Sequence, residues 1–236
     1  MIKEILDWDS KFFGFPVEKI MLDRFFNKDQ FLMLMAESSA AVVYIFAPQD
    51  LSSEQELVIS SSGAIKYDIR TTFEKQITSG AISSQIVKIS KMQDELQLLT
   101  WLAGEHSRYN TDPRFRPYFR KLYSEWLRKA FENIDSVVLT VMESGSIAGM
   151  IIISMTEIAG KIELLAVSPE FRGHGVGSSL LDAAAAICFE HGINKSSVVT
   201  QQQNIPACKL YTKNGYILTK QEAVWHRWKV INREDV

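Results

Sequence analysis

A glycine-rich turn between an apolar strand and an apolar helix constrains the fold of this chain more than any other segment. Residues 161–167 are mostly aliphatic and predict a buried strand, which Pro169 ends. Glycines follow at positions 173, 175 and 177, and residues 178–189 predict an almost wholly apolar helix. Glycines let a backbone approach a ligand closely, and a helix N-terminus offers unpaired amides and partial positive charge. The turn therefore predicts a phosphate-binding site.

Two better-known phosphate-binding turns do not match this segment. A Walker loop has Lys followed by Ser or Thr after its last glycine, whereas Gly177 is followed by two serines. A dinucleotide-binding turn has the spacing Gly-x-Gly-x-x-Gly and an acidic residue about twenty positions later. Here the spacing is Gly-x-Gly-x-Gly, and residues 194–197 contain no acid. What remains is the pattern Arg172-x-x-Gly175-x-Gly177, or a tight turn without a ligand.

A second motif follows the next predicted strand, residues 196–201. Asn204 can cap a helix, and Gly215 can end that helix in the left-handed conformation. Ala207 and Tyr211 lie between them and complete the pattern Asn-x-x-Ala-x-x-x-Tyr-x-x-x-Gly-Tyr.

Both motifs resemble the cofactor site of the GNAT N-acetyltransferases, most strongly over residues 164–216. The resemblance implies acetyl-coenzyme A as co-substrate, with its pyrophosphate held by main-chain amides and an arginine. It also implies that Asn204 contacts the pantetheine arm or an ordered water, that an amide near Val167 stabilises the oxyanion, and that Tyr211 protonates the leaving sulfur. A half-buried tyrosine closing a helix is the alternative for Tyr211. The residues implied at the cofactor are Leu165, Ala166, Val167, Arg172, Gly173, His174, Gly175, Val176, Gly177, Ser178, Asn204 and Ala207.

The general base is less well defined by the sequence. Glu163 lies on the strand that leads to Val167, and strict alternation places it on the face of Leu165 and Val167. It is therefore a candidate for a base that acts through water, beside Val167 and Tyr211 as the other catalytic residues. A solvent-facing glutamate is the alternative that we favour. An acceptor amine that is already partly neutral needs no protein base.

The composition argues against several classes of protein. A net charge of −2 without a basic run argues against nucleic acid and anionic membranes as partners. The N-terminus carries acids where a secretory signal has an apolar core, and no stretch reaches the roughly eighteen apolar residues of a membrane helix. Cys188 and Cys208 lack metal-binding spacing, so we expect reduced thiols, no metal site and a cytoplasmic protein.

The predicted elements agree with an α/β (α+β) GNAT fold, a mixed central sheet flanked by helices. Residues 85–236 form the expected N-acetyltransferase domain, with helices at 92–106 and 115–131, strands at 136–142, 147–155 and 161–167, and two last strands at 216–221 and 223–230. Residues 1–84 predict a smaller α/β subdomain, with strands at 2–6, 17–22, 41–46 and 66–76 and helices at 28–38 and 53–61. The small residues 79–84 predict the boundary, and no internal repeat is visible.

Residues 6–15 and the segment Ser107-Arg108-Tyr109-Asn110 resemble the bacterial dTDP-fucosamine acetyltransferases within the GNAT family. Those enzymes acetylate the 4-amino group of a dTDP-linked 4-amino-4,6-dideoxygalactose for surface polysaccharide. The resemblance implies an acceptor site on the subdomain 1–84 and the loop 105–116, with Glu105, Arg108 and Tyr109 as substrate-binding candidates. Arginines suit a diphosphate and aromatic faces suit a base or a sugar. The alternative is an ordinary solvated helix start.

Three functions compete at this stage. The first is acetylation of a small-molecule amine, on a nucleotide-linked amino sugar. The second is acetylation of a protein or peptide, against which the additional N-terminal subdomain counts. The third is a non-catalytic module that binds acyl-coenzyme A, which would have no need of Tyr211. The exact sugar, its nucleotide, the acyl chain length and the oligomeric state, a homodimer included, stay open.

Overall fold

The computed structural model describes residues 1–80 and 82–229 and divides the chain into two compact units. The first unit consists of Met1–Arg70 and the chain from Gln221 onward, and the second consists of Thr71–Lys220. The sequence predicted one boundary at 79–84. The division differs because two long strands, β4 (Ala64–Gln76) and β10 (Ile217–Trp228), each begin in one unit and end in the other.

The first unit is a mixed sheet with helices against it. Besides its parts of β4 and β10, its elements are β1 (Ile2–Ile5), α1 (Asp7–Phe13), β2 (Val17–Met21), α2 (Lys28–Glu37), β3 (Val42–Pro48) and α3 (Ser53–Ser61). The strand order is β1-β2-β3-β10-β4, with β2 and β3 parallel and with β1 and β10 antiparallel to their neighbours β2 and β3. Helix α1 was not predicted; it ends at Gly14, whose φ of 79° suits glycine.

The second unit contains the predicted glycine turn. Its elements are β5 (Ile86–Ile89), α4 (Asp94–Ala103), α5 (Arg108–Thr111), α6 (Phe119–Glu132), β6 (Ser136–Glu143), β7 (Ser146–Met155), β8 (Gly160–Val167), α7 (Val176–Glu190), β9 (Lys195–Gln201) and α8 (Ile205–Lys213). The strand order is β5-β6-β7-β8-β9-β4-β10, antiparallel from β5 to β8 and parallel between β8 and β9. One core cluster packs α7 against the sheet, and another packs α4 and α6 against its other face. The predicted mixed sheet flanked by helices is confirmed.

The prediction of two separate last strands is wrong. The chain from Ile217 to Trp228 is a single strand, because the residue expected to break it, Glu222, pairs with Pro48 of β3 and stays in the ladder. The Glu222 carboxylate is buried and accepts a 3.2 Å bond from Arg70. Val230, the last residue of the expected final strand, lies outside the described residues.

The run of small residues at 79–84 was expected to be a boundary, and the structure gives part of it a packing role. A Cβ atom on Gly80 would clash with the main chain at Ala186 of α7. The alanine-rich helix and this glycine therefore approach each other at a distance that no larger residue permits. Ala81, the next residue, lies outside the described residues.

The two units repeat one arrangement that was not visible in the sequence. The order β2-α2-β3-α3-β4 of the first unit matches the order β8-α7-β9-α8-β10 that runs through the second. The second helix-and-strand step, α3-β4 and α8-β10, is the most alike: Ser52 and Asn204 cap the helices, and Gly63 and Gly215 follow them at the same interval with φ of 84° and 81°. Ile59 and Tyr211 occupy the same buried position on the two helices. Side chains differ at nearly every other position, which hides the repeat from inspection of the sequence.

Both cysteines lie within the described residues. Cys188 is buried, Cys208 is half-buried, and both are free thiols. Burial raises the pKa of both thiols. No helix within residues 1–80 and 82–229 combines the length and apolar character needed to span a bilayer.

The core around α7 generates a test of stability. Leu180 is fully buried in that helix, whereas Phe189 on the same helix is 53% exposed. We expect Leu180→Ala to lower the free energy of unfolding by about 2–5 kcal/mol, because a cavity remains, and Phe189→Ala to change it by less than about 1 kcal/mol. Urea denaturation followed by circular dichroism measures both, and equal effects would contradict this packing.

Candidate active site

Strands β8 and β9 part halfway along their length. Within the described chain they pair at Gly160–Ser196, Lys161–Ser197 and Ile162–Val198, although β8 continues to Val167 and β9 to Gln201. The corresponding parallel strands of the first unit, β2 and β3, stay paired along all of β2. The second unit thus contains a gap between two strands, where main-chain groups have no partner strand.

The main-chain groups of Val167 face this gap. The Ser168 amide donates to the Ala148 carbonyl at 2.9 Å, on the β7 side. Because amides of successive strand residues point in opposite directions, the amides of Val167 and Leu165 point toward β9. The Val167 carbonyl accepts a 3.3 Å hydrogen bond from Nε of Arg172, which folds back over the end of β8. All three residues lie in register with β7, but Leu165 and Val167 direct their amides to the gap, whereas the amide of Ala166 points toward β7.

A bulge at Glu163 marks the point where the strands part. Against β7, Ile162 pairs with Ile153 and Leu164 with Ile152, which leaves Glu163 as the extra residue. The predicted face for Glu163 is therefore wrong. Its carboxylate accepts a 2.6 Å hydrogen bond from Ser154 and pairs with Lys161 at 2.8 Å, whereas Leu165 and Val167 pack on the opposite side with α7. Glu163 is exposed to solvent, on the face that α4 and α6 cover further along.

The glycine turn adopts the conformation that its sequence predicts. Gly173 and Gly175 have φ of 83° and 85°, and a Cβ on either would meet open space. Gly175 is the N-cap of α7, and no side chain caps this helix. Arg172, Gly173, His174 and Gly175, which directly precede α7, are all exposed beside the end of β8.

The other residues of the turn are used for packing. A Cβ on Gly177 would lie 3.0 Å from Leu210 and 3.6 Å from Val167, so this glycine lets α8 and β8 approach α7. The Val176 side chain is buried in the α7 core, and the Ser178 hydroxyl accepts a 3.1 Å hydrogen bond from Asn214. The three elements that border the gap are thus held together at the start of α7.

The helix that carries Tyr211 is fixed at both ends. The Asn204 side chain accepts a 3.3 Å hydrogen bond from the Ala207 amide and caps the start. At the other end, the Tyr216 amide donates to the Tyr211 carbonyl at 3.0 Å and the Gly215 amide to the Thr212 carbonyl at 3.1 Å. This is a Schellman motif, and it places Tyr211 on the last turn.

Tyr211 is almost completely buried against the core of the second unit. Its ring lies 5.8 Å from the rings of Phe73 and Tyr216. Burial raises the pKa of its hydroxyl well above the usual tyrosine value, and the nearby Tyr216 and Cys208 add to this. Phe73 was not predicted as a neighbour of Tyr211, because it lies on β4, far away along the chain.

The loop after α4 is held by aromatic packing. Tyr109 is buried, with Phe115 and Trp126 at 5.5 and 5.8 Å. The Arg108 guanidinium lies 4.5 Å from the Tyr109 ring centre and donates to its hydroxyl at 2.6 Å. Glu105 is exposed, as are Arg114, Arg116 and Arg120.

A link between this loop and α8 was not predicted. The Gln203 side chain, next to the cap residue Asn204, donates a 3.2 Å hydrogen bond to the His106 carbonyl. Gln203 has no sequence signal of its own, since its partner is a main-chain atom. No group of three or more His, Cys, Asp or Glu among the described residues is arranged to hold a metal ion.

Comparison with known proteins agrees with this geometry. The model of the Acetyltransferase (GNAT) family matches residues 97–216, which is 120 of the 236 residues. The chain belongs to the GNAT acetyltransferase family, whose members use acetyl-coenzyme A.

Individual relatives cover smaller parts of the chain. A Bacillus subtilis protein assigned as an alanine N-acetyltransferase of ribosomal protein bS18 is 30% identical over 97 residues, 39% of this chain and 64% of that protein. Streptothricin acetyltransferase A of Bacillus subtilis is 30% identical over 111 residues, 46% of this chain and 64% of that protein. The chain thus matches less than two thirds of either relative. A GCN5-related N-acetyltransferase from Sphaerobacter thermophilus shares the fold, with a TM-score of 0.59 and 13% identity over 99% of this chain and 79% of that one.

The residues at the gap fit acetyl-coenzyme A. The exposed turn Arg172–Gly175 and the uncapped start of α7 supply amides and one cation for a pyrophosphate. The amides of Leu165 and Val167 face the gap, where an extended pantetheine arm would pair with them as a strand does.

The two ends of α7 provide a matched test of this fit. Gly175 precedes the helix and Gly192 follows it; both have positive φ and open space for a side chain. We expect Gly175→Glu to weaken acetyl-coenzyme A binding at least about tenfold, because the side chain and its charge compete with the pyrophosphate at the helix start. Gly192→Glu carries similar backbone strain and should change affinity less than about twofold. Isothermal titration calorimetry measures both, and equal affinities for the two variants would contradict the site.

Proposed function

We propose that this protein is an acetyl-coenzyme A-dependent N-acetyltransferase whose acceptor is the primary amine of a small molecule, a nucleotide-linked amino sugar. The observation that carries the proposal is the parting of β8 and β9 beside the glycine turn, with the helix of Tyr211 at its border. The co-substrate supplies the acetyl group as a thioester, whose carbonyl carbon the amine attacks.

Val167 is proposed to stabilise the oxyanion. Its amide points into the gap, and the carbonyl oxygen gains negative charge as the amine adds. Because the amide is already oriented by the strand, little reorganisation is needed when the charge develops. One such donor typically lowers a barrier by about 3–4 kcal/mol.

Tyr211 is proposed to protonate the sulfur as the carbon–sulfur bond breaks. Burial raises the pKa of its hydroxyl, so the group carries its proton near neutral pH and has it available to donate. The hydroxyl makes no hydrogen bond to other side chains in the described ranges, and it is therefore available as a donor. A positioned acid contributes roughly a hundred- to ten-thousandfold in rate.

Tyr211→Phe tests the acid and also the non-catalytic alternative. We expect the variant to lower kcat at least about tenfold with little change in acetyl-coenzyme A affinity, because the hydroxyl acts only as the sulfur leaves. Tyr216→Phe is the matched control: burial raises the pKa of Tyr216 to about 12, and its hydroxyl is hydrogen-bonded to Ser196 at 2.8 Å. That variant should lose some stability and retain its kcat. Steady-state kinetics by thiol release measures both, and a wild-type kcat for Tyr211→Phe would remove the acid from the proposal.

Glu163 is retained as a base that acts through water. It is exposed on the side of the sheet that α4 and α6 cover, and the acceptor loop leaves the end of α4. Its hydrogen bond from Ser154 and its ion pair with Lys161 orient the carboxylate.

The acceptor loop supports a phosphate-bearing acceptor. Arg114 and Arg116 are exposed within a short segment that also contains Tyr118. Guanidinium groups bind diphosphates in a bidentate manner. The comparisons support acetyl transfer and do not support the dTDP-linked sugar. A cytoplasmic location is part of the same proposal, and the free thiols of Cys188 and Cys208 agree with it.

A peptide acceptor is the second candidate. The relative assigned to ribosomal protein bS18 acts on an alanine amine, and its likeness covers 39% of this chain. The same arginines would then meet acidic side chains.

A panel of acceptors distinguishes the two candidates. We expect thiol release with dTDP- or UDP-linked amino sugars and none above background with bS18-derived peptides or polyamines. The loop is proposed to bind a diphosphate, and only the nucleotide-linked sugars in this panel carry one. Arg114→Gln should raise the acceptor KM at least about threefold, whereas Arg128→Gln, on an exposed position of α6, should leave it unchanged. Activity with peptides alone would replace the proposed acceptor by the second candidate.

A further inference from the structure

The turn between α4 and α5 satisfies its main-chain carbonyls completely. Each carbonyl from Gly104 to Ser107 accepts a hydrogen bond from a donor of the second unit. The donors are, in chain order, the Ser107 amide (2.9 Å), the Asn110 side chain (2.8 Å), the Gln203 side chain (3.2 Å) and the Asn110 amide (2.9 Å). Gly104 lies so close under the rings of Phe119 and Tyr123 that a Cβ there would clash with them. These hydrogen bonds and the two rings hold the turn in a defined conformation.

The Ser107 hydroxyl is the exception within this turn. The residue is only 4% exposed, and its Oγ has no hydrogen-bond partner within residues 1–80 and 82–229. Ser107 directly precedes α5, yet its side chain does not cap that helix. Leaving a buried hydroxyl unpaired costs free energy, so such a group calls for a partner that binds there.

The turn is connected to two elements that border the gap between β8 and β9. Helix α4, which ends just before the turn, packs against β8, the strand that borders the gap. Gln203, which anchors the turn, is the neighbour of Asn204, the cap of the helix that carries Tyr211. The turn is thus linked to β8 through α4 and to the start of α8 through Gln203.

We propose that the Ser107 hydroxyl binds the acceptor by accepting a hydrogen bond from an N–H of its primary amine. This inference rests on the proposed function, and it holds for a sugar amine and a peptide amine alike. Ser107 takes up no proton: the bond orients the amine so that its lone pair is directed at the thioester carbonyl. Because water is excluded from this hydroxyl, the bond forms in an environment where hydrogen bonds are strong.

The covered hydroxyl also implies movement. The acceptor reaches Oγ only when the turn shifts, and the hydrogen bond from Gln203 is an exposed contact that can open. The packing of Gly104 against the rings of Phe119 and Tyr123 keeps the start of the turn in place during such a shift.

Two buried serines test the proposal in opposite directions. Ser196 is 3% exposed, and its hydroxyl is hydrogen-bonded to Tyr216 at 2.8 Å, whereas that of Ser107 is unpaired. For Ser107→Ala we expect kcat/KM for the acceptor to fall at least about tenfold, with unchanged acetyl-coenzyme A affinity and an unchanged or higher denaturation midpoint. For Ser196→Ala we expect a lower denaturation midpoint and an unchanged kcat/KM. The full chain is used, with the best acceptor of the panel.

Three results would overturn the role of Ser107. They are an unchanged kcat/KM in Ser107→Ala, a loss of stability like that of Ser196→Ala, or an equal loss of acetyl-coenzyme A affinity. A wild-type protein that acetylates no amine in the panel would instead overturn the proposed function, so the two failures are distinguishable.

Discussion

The parting of two parallel strands is the constraint on which the candidate site depends. A paired strand has no free main-chain groups to offer a ligand, because each amide and carbonyl already has a partner. Beyond the Ile162–Val198 pair, the amides of β8 that would have faced β9 become available instead. The bulge at Glu163 occurs at the same level on the other side of β8, and bulges bend a strand and increase its twist. The bend and the opening are therefore one local departure from regular structure.

The first unit shows what the same arrangement becomes without these features. Its parallel strands β2 and β3 stay paired, and the six residues that join β2 to α2 include no glycine. Where the second unit has Tyr211, the first has Ile59, which is fully buried. A closed strand pair, a turn of ordinary residues and an aliphatic side chain give a packed core. An open pair, a glycine turn and a tyrosine give a candidate active site.

The parts of the site that the sequence predicted are those set by local conformation. Gly173 and Gly175 adopt positive φ, Asn204 caps α8 through an amide three residues later, and Gly215 ends the same helix. Each of these effects acts over a few residues. The parts it did not predict depend on partners far away along the chain. The face of Glu163 depends on its register with β7, the continuity of β10 depends on pairing with β3, and the surroundings of Tyr211 depend on Phe73. The division into two compact units also depends on residues far apart in the chain, since β4 and β10 each contribute to both units.

The cofactor half and the acceptor half of the proposed site are built from different kinds of groups. This difference explains why the cofactor half was easier to infer from the sequence. The cofactor half consists of main-chain amides, so its residues are recognised by what they lack, a side chain at the glycines. The proposed acceptor half consists of side chains on and beside a turn that Gln203 and aromatic rings hold in place. Arginine and serine are common on protein surfaces, and only their burial and partners distinguish a binding group from a solvated one. Ser107 stands out because every carbonyl of its turn accepts a hydrogen bond, whereas its own hydroxyl has no partner in the described part of the chain. Acceptor specificity is therefore expected to follow changes in the loop 105–116 while the glycine turn stays the same.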